Sequence, residues 1–151
     1  MSSGRLRAAR PEDLDGLVRL ENEAFETDRL DRRALRHAIR SPTILAFVAE
    51  GRDGTLAGYG LVQLRRGSAI GRLTSLAVAG SAARQGLGRA LVAEARRVAA
   101  AGGCTRLRLE VRADNAGARR LYEGCGFRLT ATEPDYYEDG EPAAKYEADL
   151  P

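Results

Sequence analysis

Sulfur and imidazole are scarce in this 151-residue chain: two cysteines, one histidine and no tryptophan. Cys104 and Cys125 form no C-x-x-C pair, and with His37 they make no metal-ligand spacing. A disulfide framework, a zinc site and Ser/His/Asp or Cys/His chemistry are therefore not expected, and no metal is assigned. His37 falls in a short charged stretch and reads as a surface residue. No apolar run approaches the roughly 18–20 residues that a membrane span requires. The first residues, Met1-Ser-Ser-Gly-Arg, carry no apolar stretch after their charge, so a cytoplasmic location is expected. There is one lysine, Lys145, and the arginines are scattered, giving a net charge of only +3. Without a basic stripe or a recognition motif, no nucleic-acid partner is expected, and no membrane partner either.

What is present suits one folded domain over residues 1–151: 44% hydrophobic and 30% charged residues can build one core. Leu6 and Ala8 alternate with arginines as in a short strand. Pro11, Glu12 and Asp13 then open a helix whose apolar stripe is Leu14, Leu17, Val18, Ala24 and Phe25. A second helix is read over 31–40. The runs 43–50 and 55–64, joined across Gly51 and Gly54, predict a hairpin. A mostly apolar strand at 72–78 precedes a helix at 86–101, which Gly102 and Gly103 end. The run 105–111 alternates strictly, with Leu107, Leu109 and Val111 on one face and Arg106, Arg108 and Glu110 on the other. Asn115 can cap a helix to about residue 123, and strands at 127–131 and 144–148 close the chain. The resulting order, β-α-α-β-β-β-α-β-α-β-β, predicts a mixed α/β fold with helices on both faces of the sheet and some parallel pairing.

The segment from Ala83 to Leu91 follows a strand and opens a helix, with Gly86 and Gly88 permitting close backbone approach. Free amide groups at such a helix start favour an anion. The pattern is not G-x-x-x-x-G-K-[ST], and Leu91 stands where a dinucleotide loop needs its third glycine.

Four segments in order, Arg72-Leu-Thr-Ser-Leu-Ala-Val78, Arg84-Gln-Gly-Leu-Gly-Arg89, Leu109-Glu-Val-Arg-Ala-Asp-Asn115 and Leu121-Tyr-Glu-Gly-Cys-Gly-Phe127, make the chain resemble the GNAT acetyltransferase superfamily. Within it the chain is most similar to bacterial enzymes that acetylate the N-terminal alanine of a ribosomal protein. The resemblance implies a mixed, mostly antiparallel sheet of about six or seven strands with a splayed parallel pair at its centre. It implies acetyl-CoA as co-substrate and an amine acceptor, most readily a protein or peptide N-terminal α-amine. A small-molecule amine, a lysine side chain, or a non-catalytic acyl-CoA-binding module are the alternatives.

By position, the resemblance assigns pantetheine to the backbone of Leu76, Ala77 and Val78, and pyrophosphate to Arg84, Gln85, Gly86, Leu87, Gly88 and Arg89. Ala83 departs from the usual Gln or Arg there; Arg84 or Arg89 can supply the missing charge. Asn115 matches a CoA-contacting position, or caps its helix. Glu110 matches the general base, or pairs with Arg108 or Arg112. Tyr122 matches the general acid, or is a core aromatic beside Leu121 and Phe127. The acceptor end would be lined by Glu26, Tyr136 and Tyr137, within an acidic rim suited to a cation or else a solvated loop. Glu26 to Leu30 departs from the ribosomal-protein enzymes.

Overall fold

The computed structural model describes residues 5–51, 53–80 and 86–151. Among the described residues, seven strands, β1 (Arg5–Ala8), β2 (Ile44–Glu50), β3 (Leu56–Gln63), β4 (Ile70–Val78), β5 (Arg106–Arg112), β6 (Arg128–Glu133) and β7 (Ala143–Asp149), are interspersed with four α-helices. These are α1 (Leu14–Ala24), α2 (Arg32–Arg40), α3 (Leu87–Ala101) and α4 (Ala116–Gly124). The element order is the one that the hydrophobic periodicity predicts.

The strands form one sheet in the order β1-β2-β3-β4-β5-β7-β6. All neighbours are antiparallel except β4 and β5. That parallel pair follows from the α3 crossover, since two strands joined through a helix on one face must run the same way. β7 comes last in the chain but lies between β5 and β6, which leaves β6 as an exposed edge.

Two apolar layers cover the sheet. On one face Leu17, Leu20 and Leu35 of α1 and α2 pack on Val48, Tyr59, Leu61 and Ala77. On the other, Leu87, Leu91, Val92 and Ala95 of α3, with Tyr122 of α4, pack on Val62, Leu73, Leu107, Leu109 and Tyr146. Gly58 allows the close approach of α3: a Cβ there would lie 2.7 Å from Leu91 Cδ1 and 3.0 Å from the Ala77 carbonyl.

The centre of the sheet is irregular at one place. Ser75 of β4 faces Leu61 of β3, but the next pair is Leu73 with Val62, so Thr74 is an extra residue, a β-bulge. The bulge reverses the alternation of side chains. Leu73 belongs to the core under α3, while Ala77, four residues on, belongs to the core under α1. It also turns β4 away from β5: their ladder runs from Ile70–Arg106 to Leu73–Leu109 and stops, although both strands continue. This is the splayed central pair.

Candidate active site

A cavity of about 300 Å³ opens where β4 and β5 part. Its walls come from the end of α1 and the segment after it, from β4, β5 and α4, and from the loop between β6 and β7.

Leu76 and Val78 of β4 are on the wall, whereas the Ala77 side chain is buried on the α1 side. Beyond Leu73 the backbone of β4 makes no ladder with β5, so that edge is available to an extended ligand. Gly86, the residue before α3, has φ +78, a left-handed conformation that glycine adopts without strain. The first turn of α3 holds no acidic residue to oppose an anion. Gly88 lets α4 pack closely, since a Cβ would meet Leu121 at 3.2 Å. Arg89 is exposed and donates to the Gly124 carbonyl at 3.3 Å. Arg84 and Gln85, expected at the same site, lie outside the described residues, as does Ala83.

Glu110 is on the cavity wall, held by the Arg72 Nε–H at 2.8 Å. The ion pair anticipated for it exists, but the partner is neither Arg108 nor Arg112. Arg72 and Arg108 are register neighbours on β4 and β5, two like charges side by side. Arg108 turns to Glu147 at 2.6 Å, and Arg72 turns to Glu110. Arg72 also donates to the Tyr136 hydroxyl at 3.0 Å, which holds Tyr136 off the cavity wall.

Tyr122 is a core aromatic that also reaches the cavity. It packs edge-to-face on Phe127 with ring centroids 5.8 Å apart, and it is also on the wall. Burial pushes its phenol pKa well above the ordinary value. Asn115 caps α4, its Oδ1 accepting the Ala118 N–H at 3.1 Å, and the residue borders the cavity.

Of the residues expected around the amine, Tyr137 is on the cavity wall and Glu26 is exposed away from it, while Asp28 is on the wall. Asp28 has φ +57, which turns the chain there. Burial pushes the Tyr137 phenol up to about 12. Its ring lies 5.2 Å from the Arg112 guanidinium, which donates to Asp28 at 3.2 Å and to Asp139 at 2.6 Å. Arg112 thus ties the α1–α2 segment to the β6–β7 loop across the cavity.

Sequence reasoning missed Glu21. It is 2% exposed, yet it borders the cavity and accepts hydrogen bonds from the Tyr59 hydroxyl and the Leu30 N–H. A signal was available: Glu21 falls at i+4 from Leu17 and i−4 from Phe25, inside the apolar stripe of α1. Among the described residues no cluster of His, Cys, Asp and Glu could hold a metal ion.

The sequence signature of the Acetyltransferase (GNAT) family matches residues 12–127. An N-acetyltransferase from Methanocaldococcus jannaschii is 35% identical over 139 residues, covering 91% of this chain and 86% of that protein. An N-alpha-acetyltransferase from Caenorhabditis elegans is 31% identical over 150 residues, covering 96% and 82%. The crystal structure of the ribosomal-protein-S18-alanine N-acetyltransferase from Escherichia coli superposes with a TM-score of 0.85 at 27% identity, over 97% of this chain and 94% of that one. With the family signature spanning most of its length and the parted β4–β5 pair at its centre, this chain belongs to the GNAT acetyltransferase family.

Proposed function

We propose that the chain is an acetyl-CoA-dependent N-acetyltransferase whose acceptor is the α-amine of a protein or peptide N-terminus. One observation carries the reading: the β4–β5 ladder ends at Leu73–Leu109, and the cavity beyond it has Glu110 and Tyr122 on its walls.

The residues present fit the co-substrate. The free edge of β4 at Leu76, Ala77 and Val78 suits the amides of a pantetheine arm. The first-turn N–H groups of α3, at Leu87, Gly88 and Arg89 and entered through left-handed Gly86, suit a pyrophosphate, and Asn115 borders the same cavity. When bound, acetyl-CoA supplies an activated acyl carbon and a thiolate leaving group.

The chain's own groups handle two protons. The attacking amine forms a C–N bond as the C–S bond breaks, and it must shed a proton. Glu110, oriented by Arg72, takes that proton through one water. Tyr122 keeps its proton because burial disfavours the phenolate, so its hydroxyl can hydrogen-bond the departing sulfur and steady its negative charge. An α-amine, with a pKa of roughly 8 against about 10.4 for lysine, needs less help from such a base. The N-alpha and ribosomal-protein-alanine activities named for two of the similar proteins support the same acceptor class. The acceptor lies between Asp28 and Tyr137, while Glu26 and Tyr136 are off the cavity wall.

Thiol release from acetyl-CoA with a panel of N-terminal peptides, lysine peptides and polyamines tests this. Release with free N-termini above the no-acceptor rate is expected. Release only with lysine peptides or polyamines overturns the acceptor class. Background release with acetyl-CoA bound leaves a non-catalytic acyl-CoA-binding module.

A further inference from the structure

The most buried acid of the cavity has no part in the chemistry above. Glu21 joins three separate segments. Its Oε1 accepts from the Tyr59 hydroxyl of β3, which also hydrogen-bonds Ser75 Oγ at 2.9 Å. Ser75 Oγ lies 3.5 Å from the same carboxylate oxygen. Oε2 accepts the Leu30 N–H at 2.8 Å, in the segment between α1 and α2. Burying a carboxylate is costly unless it is fully hydrogen-bonded, and here every partner is a neutral donor from a different part of the chain.

The contact with Ser75 exists because of the bulge at Thr74. Without the extra residue Ser75 would face α3 with Leu73; with it, Ser75 faces α1 and meets Tyr59 and Glu21. The same bulge ends the pairing of β4 with β5. Leu30 and Asp28, at the other end of the network, stand on the acceptor side of the cavity. One carboxylate therefore connects the strand that opens for the thioester to the segment that frames the amine.

We propose that Glu21 is a positioning residue that couples the two halves of the site, so that occupancy of β4 by CoA orders the α1–α2 segment for the acceptor. This rests on the acetyl-CoA reading above. Glu21 does not touch the reacting atoms. Binding at β4 fixes Ser75 and Tyr59, these fix the Glu21 carboxylate, and that carboxylate fixes the Leu30 amide. The acceptor then meets a segment already ordered, and the cost of ordering is not charged to its own binding.

The test is amide hydrogen exchange of the full chain with and without CoA, in the wild type, Glu21→Gln and Tyr59→Phe. Both substitutions are nearly isosteric; Tyr59→Phe deletes one hydroxyl and guards against a folding defect in the other. In the wild type CoA is expected to slow exchange over residues 25–30. In both variants that slowing disappears, while CoA still protects β4. Loss of a hydrogen bond to a charged group corresponds to about a tenfold effect, so acceptor KM rises about tenfold in the variants with kcat little changed. If CoA protects β4 and leaves 25–30 untouched in the wild type, the coupling is wrong. A fall in kcat at unchanged KM also overturns it, since Glu21 would then act in the chemistry. A lowered melting temperature with normal coupling would reduce Glu21 to a structural acid and overturn it too. No protection anywhere by CoA would instead remove the acetyl-CoA reading and the coupling with it.

Discussion

Arg72 and Glu110 sit on neighbouring parallel strands, with Arg72 Nε 2.8 Å from Glu110 Oε1 and the carboxylate facing the cavity. The guanidinium fixes one oxygen of the carboxylate and leaves the other for a water or an amine. Glu110→Gln keeps the shape and a hydrogen-bond acceptor for Arg72 but removes the base. A fall in kcat of about a hundredfold is expected, in the range typical of general-base loss. The CoA dissociation constant, measured by calorimetry, stays at its wild-type value. An unchanged kcat returns Glu110 to a purely structural ion pair.

Tyr122→Phe leaves the edge-to-face contact with Phe127 intact, because the ring remains. A thiolate is a good leaving group, so the hydroxyl contributes less than a base does; a loss of about tenfold in kcat is expected. Single-turnover rates with saturating acetyl-CoA check this. If affinity for CoA falls and the rate does not, the hydroxyl serves binding alone.

Which parts of this architecture the sequence discloses depends on the range of the interaction. Helices and strands are local, and periodicity in runs such as 105–111 was enough to order all eleven elements. Glu110 and Tyr122 both reach the cavity wall because each belongs to a regular element whose faces alternate predictably. The partner of Glu110 was not legible, since Arg72 is 38 residues away and becomes a neighbour only through the parallel register. The inward place of β7 was not legible either: a β6–β7 hairpin can dock by either strand. Asp28, not Glu26, is on the wall because a left-handed residue in an irregular segment redirects the chain, and no periodicity reports that.

Arg112 holds the acceptor segments together, bonding Asp28 on one side and Asp139 on the other over the Tyr137 ring. Arg112→Met keeps the apolar stem against the ring but breaks both ion pairs. These pairs are solvated, so stability should change little. Acceptor selection should change more. With the two loops untied, peptide KM is expected to rise about tenfold while lysine and polyamine acceptors lose less, which lowers discrimination. Initial rates across the acceptor panel measure the ratio; an unchanged ratio means that the ties do not shape the acceptor site.

Glu147 makes the stability of the sheet depend on acid. Its side chain is buried on the sheet face away from α3, where Arg106, Arg108 and Arg128 converge on it from β5 and β6. The hydrogen bond from Arg108 is the main reason that its carboxyl is held below the usual range, with Arg106 adding to it. In the unfolded chain a glutamate titrates near pH 4.3 or so. A depressed folded value means that the unfolded state binds the proton first as the pH falls. The stabilisation is therefore complete above about pH 5 and is lost on descending through the folded value. Asp13, held low by Arg7, acts in the same direction. Glu147→Gln should cost about 1–2 kcal/mol near neutrality, discounted because the three guanidinium groups are half exposed. That corresponds to about 2–6 °C in Tm for a domain of this size. As the pH falls through the folded value the variant and the wild type should converge, because the wild-type carboxyl is then protonated as well. Melting curves of both proteins between pH 7 and pH 3 settle it: a constant gap at every pH would mean that Glu147 stabilises through packing rather than charge.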